Sequence, residues 1–330
     1  MTNNKKISID LKKFVLLFIL IGLVIFFGIM SPKFLTFNNI MNIITQNSYL
    51  IIASIGVAMV MISGGTDLSV GYQISVIGVC VAIFMQWLSM PIWISIILGL
   101  LIGVLLGLIN GFTANRLNMH PMIVTLATMT LFQGISFLTS QSKSIYDLSS
   151  SFKFIGQGYV GKVPLPVIIV LVVAIVIGVM LKKTYFGRHI YAVGGNPEAA
   201  HLAGIDVKKI KLLVFALCGL LVGLAAVVLI SRTGSANSSM GPGTEFSAIT
   251  ACVLGGVSFI GGEGDIDGVI IGVLILGVLS NGMQLIGLGI YIQYVAKALI
   301  LIAAIAFDTY QKQVKVKRST IKASGVEKMA

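Results

Sequence analysis

The sequence predicts an all-α polytopic membrane protein with about ten transmembrane helices, arranged as one bundle. Only 10% of the 330 residues are charged while 57% are hydrophobic, and all the charges except Lys297 lie outside ten apolar stretches. A helix needs roughly 20 apolar residues to cross about 30 Å of hydrocarbon, and most of the stretches reach or approach that length. The period-two alternation that is typical of membrane barrels is absent.

Two of the ten stretches are short, and both end in glycine clusters. No polar segment is long enough for a soluble domain, so we expect residues 1–330 to form a single membrane domain with tails of about 1–13 and 309–330. In chain order the predicted spans are Phe14–Met30, Ser48–Ile62, Tyr72–Leu88, Pro91–Ala114, Met122–Ser140, Pro166–Leu181, Leu212–Ser231, Ser247–Ile260, Val269–Leu288 and Tyr291–Phe307.

The net charge of +12 marks orientation in a lipid bilayer and does not indicate nucleic-acid binding. With ten spans, most Lys and Arg residues fall on the side that carries both termini and the loop of about residues 182–211. Because cytoplasmic loops carry an excess of basic residues, this side is predicted to be cytoplasmic. The basic tail can also contact anionic headgroups. We therefore predict a multi-pass membrane protein with both termini in the cytoplasm.

A polar segment between the second and third spans contains Gly64, Gly65 and Asp67. A carboxylate near hydrocarbon is costly and usually functional. Adjacent glycines let the backbone leave helical geometry at low steric cost. The segment is either a capped turn at the membrane surface or a broken helix that lines a permeation path.

The cytoplasmic loop contains a short helix signal. Asn196 suits an N-cap, Pro197 the first helical position, and Glu198 the first turn, while Gly204 suits the stop. The pattern predicts a helix of about seven residues, which is too short to be stable unless it docks. It docks either on its own bundle or in a cleft of a soluble partner.

Other polar positions have competing interpretations. Thr125, Thr128, Asn281 and Gln284 lie inside spans, where neutral polar groups serve either a hydroxyl-rich solute or interhelical hydrogen bonds. Lys297, also inside a span, either snorkels or pairs with an acid. The acids of segment 261–268 are expected to be solvated on a glycine-rich elbow.

The sequence predicts no metal, disulfide or nucleotide site within the chain. Three cysteines lie in apolar stretches, and three histidines lack metal-ligand spacing. Residues Gly156–Lys162 imitate a phosphate-binding loop, but Val163 stands where Ser or Thr should hold magnesium. Energy for transport is therefore expected from a separate subunit or an ion gradient.

Three ordered motifs resemble the ribose-type branch of ABC importer permeases: Gly64–Gly71, Gly187–Ala200 and Gly243–Ser258. Within the second, Glu198, Ala199, Ala200 and Gly204 match the family pattern EAAxxxG. The resemblance covers about Phe34 to Asp308. Thr66 and Ser247 depart from the Ile and Asp expected in many relatives, which weakens the assignment of a substrate.

The resemblance implies a subunit that translocates a ribose-like sugar without an enzymatic site of its own. Its short helix (Asn196–Gly204) would couple to a cytoplasmic ATPase, which would bind ATP and magnesium, so this chain would hold no cofactor. Glu245 would lie where an extracytoplasmic binding protein docks, unless it only caps a turn. A second permease copy or homologue would complete the pathway, and the complex would lie in a bacterial inner membrane. The alternatives are a gradient-driven carrier, or a permease of the same family for an autoinducer-type sugar, a nucleoside or a branched-chain amino acid.

Overall fold

The structure, a computed structural model, describes residues 4–327 and assigns a helix to every predicted apolar stretch. The predicted tails continue the first and last helices, while residues 1–3 and 328–330 lie outside the described residues. The helices are α1 Asn4–Met30, α2 Phe37–Ile62, α3 Val70–Gln86, α4 Ile92–Leu117, α5 Pro121–Ser140, α6 Ser150–Gln157, α7 Leu165–Lys183, α8 Tyr185–Gly195, α9 Pro197–Leu202, α10 Val207–Thr233, α11 Thr244–Leu254, α12 Ile266–Leu285 and α13 Ile290–Glu327, and the antiparallel strands β1 Tyr159–Val160 and β2 Val163–Pro164 form one small hairpin.

Seven helices among the described residues are long and apolar enough to cross a membrane. They are α2, α4, α5, α7, α10, α12 and the first part of α13. The apolar parts of α1, α3 and α11 are shorter. The helical membrane class is therefore confirmed, whereas ten complete crossings are not, and α11 extends for only about 16 Å at the usual helical rise.

The two short predicted spans were placed wrongly. Helix α2 starts at Phe37 instead of Ser48, because the side chain of Thr36 caps a polar first half by accepting from the backbone N–H of Asn39 at 3.4 Å. Hydropathy misses that half because it is rich in Asn, Thr and Gln. Helix α11 ends at Leu254 instead of Ile260, because a glycine pair follows it.

Glycines bring α4 and α10 into backbone contact at the centre of the bundle. Gly99, Gly103, Gly107 and Gly111 recur every fourth residue and therefore lie on one face of α4. A Cβ at Gly103 would overlap the carbonyl group of Gly219 in α10. Small residues at this spacing let membrane helices approach closely, so this pair forms a tightly packed axis for the fold.

Loop contacts define two opposite ends of the bundle. At the first, Asn115 Nδ2 donates to the backbone oxygen of Lys208 at 2.7 Å, which ties the end of α4 to the start of α10. At the second, Gln157 Nε2 donates to the backbone oxygen of Arg232 at 2.8 Å, which ties α6 to the end of α10. We call the first end, which also carries α8 and α9, the coupling end.

The membrane orientation of these two ends can be measured directly. In a background that lacks the three native cysteines, Ser150→Cys and Asn196→Cys should react with an impermeant thiol reagent from opposite sides, because these residues belong to opposite ends. Intact cells should label only the Ser150→Cys variant, and inverted vesicles only Asn196→Cys. Labelling of both variants from outside would contradict the predicted orientation.

Candidate coupling and translocation site

The short helix predicted in the loop is present as α9, with six residues. Asn196 caps it, since its side-chain oxygen accepts from the backbone N–H of Ala199 at 3.0 Å. Gly204 ends the turn with φ +82°, a left-handed conformation that favours glycine. The backbone N–H of Ile205 donates to the oxygen of Ala200 at 3.0 Å, which closes the C-terminal end.

One face of α9 docks on the bundle and the other is free in this chain. Ala200 is buried, with 4% of its surface exposed, whereas Pro197, Glu198 and Ala199 are exposed. Leu202, which the sequence reasoning missed, is 88% exposed. An apolar side chain on a surface helix, among charged neighbours, is the signal that could have identified it. Helix α9 therefore docks on its own bundle through Ala200, and contact of its exposed face with a soluble partner stays a prediction.

Helix α8, which the sequence reasoning also missed, holds α9 against the bundle. The hydroxyl of Thr184 accepts from the backbone N–H of Gly187 at 3.2 Å and caps the helix. Ile190 and Val193 are fully buried. The hydroxyl of Tyr191 donates to the backbone oxygen of Gly264 at 2.8 Å. The loop of residues 182–211 is thus a rigid two-helix unit.

The glycine–aspartate segment after α2 lies inside the protein. Gly64 has φ +83°, and its backbone N–H donates to Met61 at 2.9 Å, so the chain turns sharply. Asp67 has no exposed surface. Its Oδ1 accepts from the backbone N–H and the hydroxyl of Ser69 at 2.9 and 2.6 Å, and its Oδ2 from Gln73 Nε2 at 3.0 Å. The idea of a capped turn at the membrane surface is therefore wrong.

Asp67 belongs to a buried polar cluster that joins three helices. The members are Asp67, Ser69, Gln73, Asn110 and Thr128. Asn110 Nδ2 donates to the hydroxyl of Ser69 at 2.8 Å, and its oxygen accepts from Thr128 at 2.7 Å. Thr128 is on α5 and Asn110 on α4, so the cluster fixes both helices to the start of α3.

The other predicted pathway residues differ in their exposure to solvent. Thr125 is buried and donates its hydroxyl to the backbone oxygen of Thr66 at 3.1 Å. Asn281 exchanges side-chain hydrogen bonds with Asn39 at 2.9 and 3.0 Å. Gln284 is exposed at the end of α12. Thr125, Thr128 and Asn281 therefore serve helix packing in this conformation, and only Gln284 is accessible.

Glu245 does not face a soluble partner. It is 2% exposed, and its carboxylate accepts from the backbone N–H of Gly243 at 3.0 and 3.1 Å. It packs against Gly71, so the start of α11 meets the start of α3. Phe246, the next residue, is exposed. The capping interpretation fits this geometry, and direct contact of Glu245 with a binding protein does not.

We expected all the acids near the start of α12 to be solvated, but the structure shows that not all of them are. Lys182 Nζ pairs with Asp265 at 3.1 Å and with Asp267 at 3.2 Å, while Glu263 is exposed. These bridges connect the end of α7 to the start of α12. Because the lysine is half exposed, they contribute little to stability and mainly fix position.

The comparison with protein families assigns the chain. Residues 39–305 match the family described as branched-chain amino acid transport system / permease component. The chain belongs to this permease family. The match includes α3, the polar cluster, α8, α9 and α11, so every element of the candidate site is part of the shared permease domain.

Three curated relatives of this permease are sugar permeases by name. The ribose import permease protein of Haemophilus influenzae is 40% identical over 94% of this chain and 97% of its own length. The ribose import permease protein of Bacillus subtilis is 40% identical over 93% and 96%. The D-allose transport system permease protein of Escherichia coli is 39% identical over 88% and 90%. No solved structure gives a significant match to the chain.

Proposed function

We propose that this chain is the permease subunit of an ATP-driven sugar importer and that its solute is a ribose-like monosaccharide. The observation that carries the proposal is α9, a capped six-residue helix whose outer face, with Glu198 and Leu202, is exposed beside a buried Ala200. A helix this short is stabilised mainly by packing, which Ala200 supplies, so its exposed face remains available to a partner. The sugar assignment is supported by the relatives, which are named for ribose, allose and arabinose.

The partners follow from the two ends of the bundle. A cytoplasmic ATPase binds the outer face of α9 and supplies ATP and magnesium, while this chain binds no cofactor. An extracytoplasmic sugar-binding protein delivers the solute at the opposite end. A second permease copy or homologue completes the pathway in the inner membrane, and both termini lie in the cytoplasm. The excess of basic residues on one side supports this orientation.

Two observations weigh against a gradient-driven carrier. Such a carrier has no use for the exposed face of α9. Asp67, which with Lys297 was one of two candidates for a coupling-ion site, already accepts hydrogen bonds from Ser69 and Gln73. The description of the family keeps a branched-chain amino acid as the second candidate solute.

Reconstituted transport tests both assignments. The permease is placed in proteoliposomes together with its ATPase partner, with ATP and magnesium inside and the sugar-binding protein outside. We expect radiolabelled ribose to accumulate only with ATP, and to do so equally in the presence of ionophores. Labelled leucine is the matched control. Accumulation of leucine instead would overturn the sugar assignment, and uptake driven by an ion gradient without ATP would overturn the ATPase assignment.

A further inference from the structure

We propose that three glycines form a mechanical joint that carries movement of the α8–α9 unit into the membrane bundle. The glycine joint consists of Gly194 near the end of α8, Gly64 after α2 and Gly261 before α12. The inference rests on the proposed function, because it states how movement of the coupling helix would reach the solute pathway. It is independent of which solute the permease carries.

The first contact of the joint is between α8 and the end of α2. A Cβ at Gly194 would overlap the backbone oxygen of Ile62, the last residue of α2, and would come within 2.7 Å of the backbone nitrogen of Gly262. That nitrogen donates to the same Ile62 oxygen at 2.9 Å. Three separate parts of the chain therefore meet backbone to backbone around one carbonyl group.

The second contact closes the joint from the other side. A Cβ at Gly261 would lie 2.8 Å from the Gly194 oxygen and 2.8 Å from the Cα of Gly64. Gly261 has φ +109° and Gly64 has φ +83°, conformations that side chains disfavour. Close-packed backbone has no flexible side chain to absorb a displacement, so a shift of α8 must move its neighbours.

The glycine joint lies between the proposed ATPase contact and the polar cluster. Helix α8 continues through Asn196 into α9, the proposed ATPase contact. Gly64 leads within a few residues to Asp67 and the polar cluster. Tyr191 adds a parallel tie to Gly264. Burial raises the pKa of Tyr191, with a further contribution from Asp265, so its hydroxyl keeps the proton that it donates.

Neighbouring glycines offer a matched pair of variants. Gly194→Ala places a methyl group in the joint, whereas a Cβ at Gly195 meets nothing within 4 Å. The measurement is the ratio of ribose taken up to ATP hydrolysed in the reconstituted complex, with co-purified ATPase as the measure of assembly. We expect Gly194→Ala to bind the ATPase normally and to lower the ratio roughly tenfold or more, and Gly195→Ala to behave as wild type. A wild-type ratio in Gly194→Ala would overturn the joint.

Two further variants separate the possible failures. Glu198→Lys alters the surface of α9, and normal uptake in it would remove the proposed role of α9 as the ATPase contact, on which the joint depends. Loss of uptake in Glu198→Lys, together with normal coupling in Gly194→Ala, would remove the joint alone. If the complex with Gly194→Ala does not assemble, the ratio of uptake to ATP hydrolysis in Tyr191→Phe decides, because this substitution removes only one hydroxyl. A lowered ratio supports the joint, and a wild-type ratio per assembled complex assigns these contacts to folding only.

Discussion

Replacing Leu202 by aspartate should release the ATPase from this permease. Leu202 is the most exposed of the large hydrophobic side chains described, and it lies on the free face of α9. Burial of a leucine at a protein interface contributes about 1.5–3 kcal/mol, and a buried, unpaired aspartate adds a penalty. We therefore expect Leu202→Asp to abolish co-purification of the ATPase and to lower ribose uptake to background.

The matched control keeps the apolar contact. Leu202→Met should retain the ATPase, since the two side chains have similar volume. Both variants should reach the membrane in wild-type amounts, because Leu202 contributes little to the packing of its own chain. Retention of the ATPase by Leu202→Asp would show that the partner does not contact this face of α9.

Replacing Asp67 by asparagine should strongly destabilise the bundle. The amide of asparagine offers one acceptor where the carboxylate offers two, so donors from Ser69 or Gln73 lose their acceptor. A buried polar group left without a partner costs roughly 1–3 kcal/mol. The expected result is a melting temperature several degrees lower in detergent, with less assembled complex.

Asp147→Asn is the control, because it makes the same chemical change on an exposed residue. Asp147 has φ +59°, which asparagine also tolerates. Its melting temperature should match that of the wild type. A melting temperature of Asp67→Asn that equals or exceeds the wild-type value would mean that Asp67 is already protonated, which would revive the gradient-driven alternative.

The sequence located the helices and the loop signal but not the roles of single polar residues. Asn196, Pro197 and Gly204 have local conformational meaning, so the cap and stop of α9 could be predicted from neighbours in the chain. Hydropathy also located the apolar runs. It failed for the first half of α2, where residues such as Asn39 satisfy their amides through distant partners.

Glu245 and Thr128 show why the site was only partly predictable. Their types indicate polar roles, but whether they meet solute or protein depends on how other helices pack, since Glu245 lies against Gly71 of α3 and Thr128 bonds Asn110 of α4. Helix α8 was missed for a similar reason. Its two buried hydrophobic side chains, Ile190 and Val193, are too few to produce a strong apolar pattern, and their burial depends on helices that precede and follow the loop.

The reciprocal amide pair between Asn39 and Asn281 has a consequence for biosynthesis. These residues are 242 positions apart, and ribosomes add about 5–20 residues per second, so the partner of Asn39 emerges about 10–50 s later. Until α12 is synthesised, the side-chain amide of Asn39 has no partner from that helix. Immersion of the first half of α2 in lipid would leave this amide poorly satisfied. The first half of α2 should therefore stay at the water interface during translation and enter the membrane only when α12 is present. Insertion of this N-terminal segment would then be completed together with that of the C-terminal part of the chain.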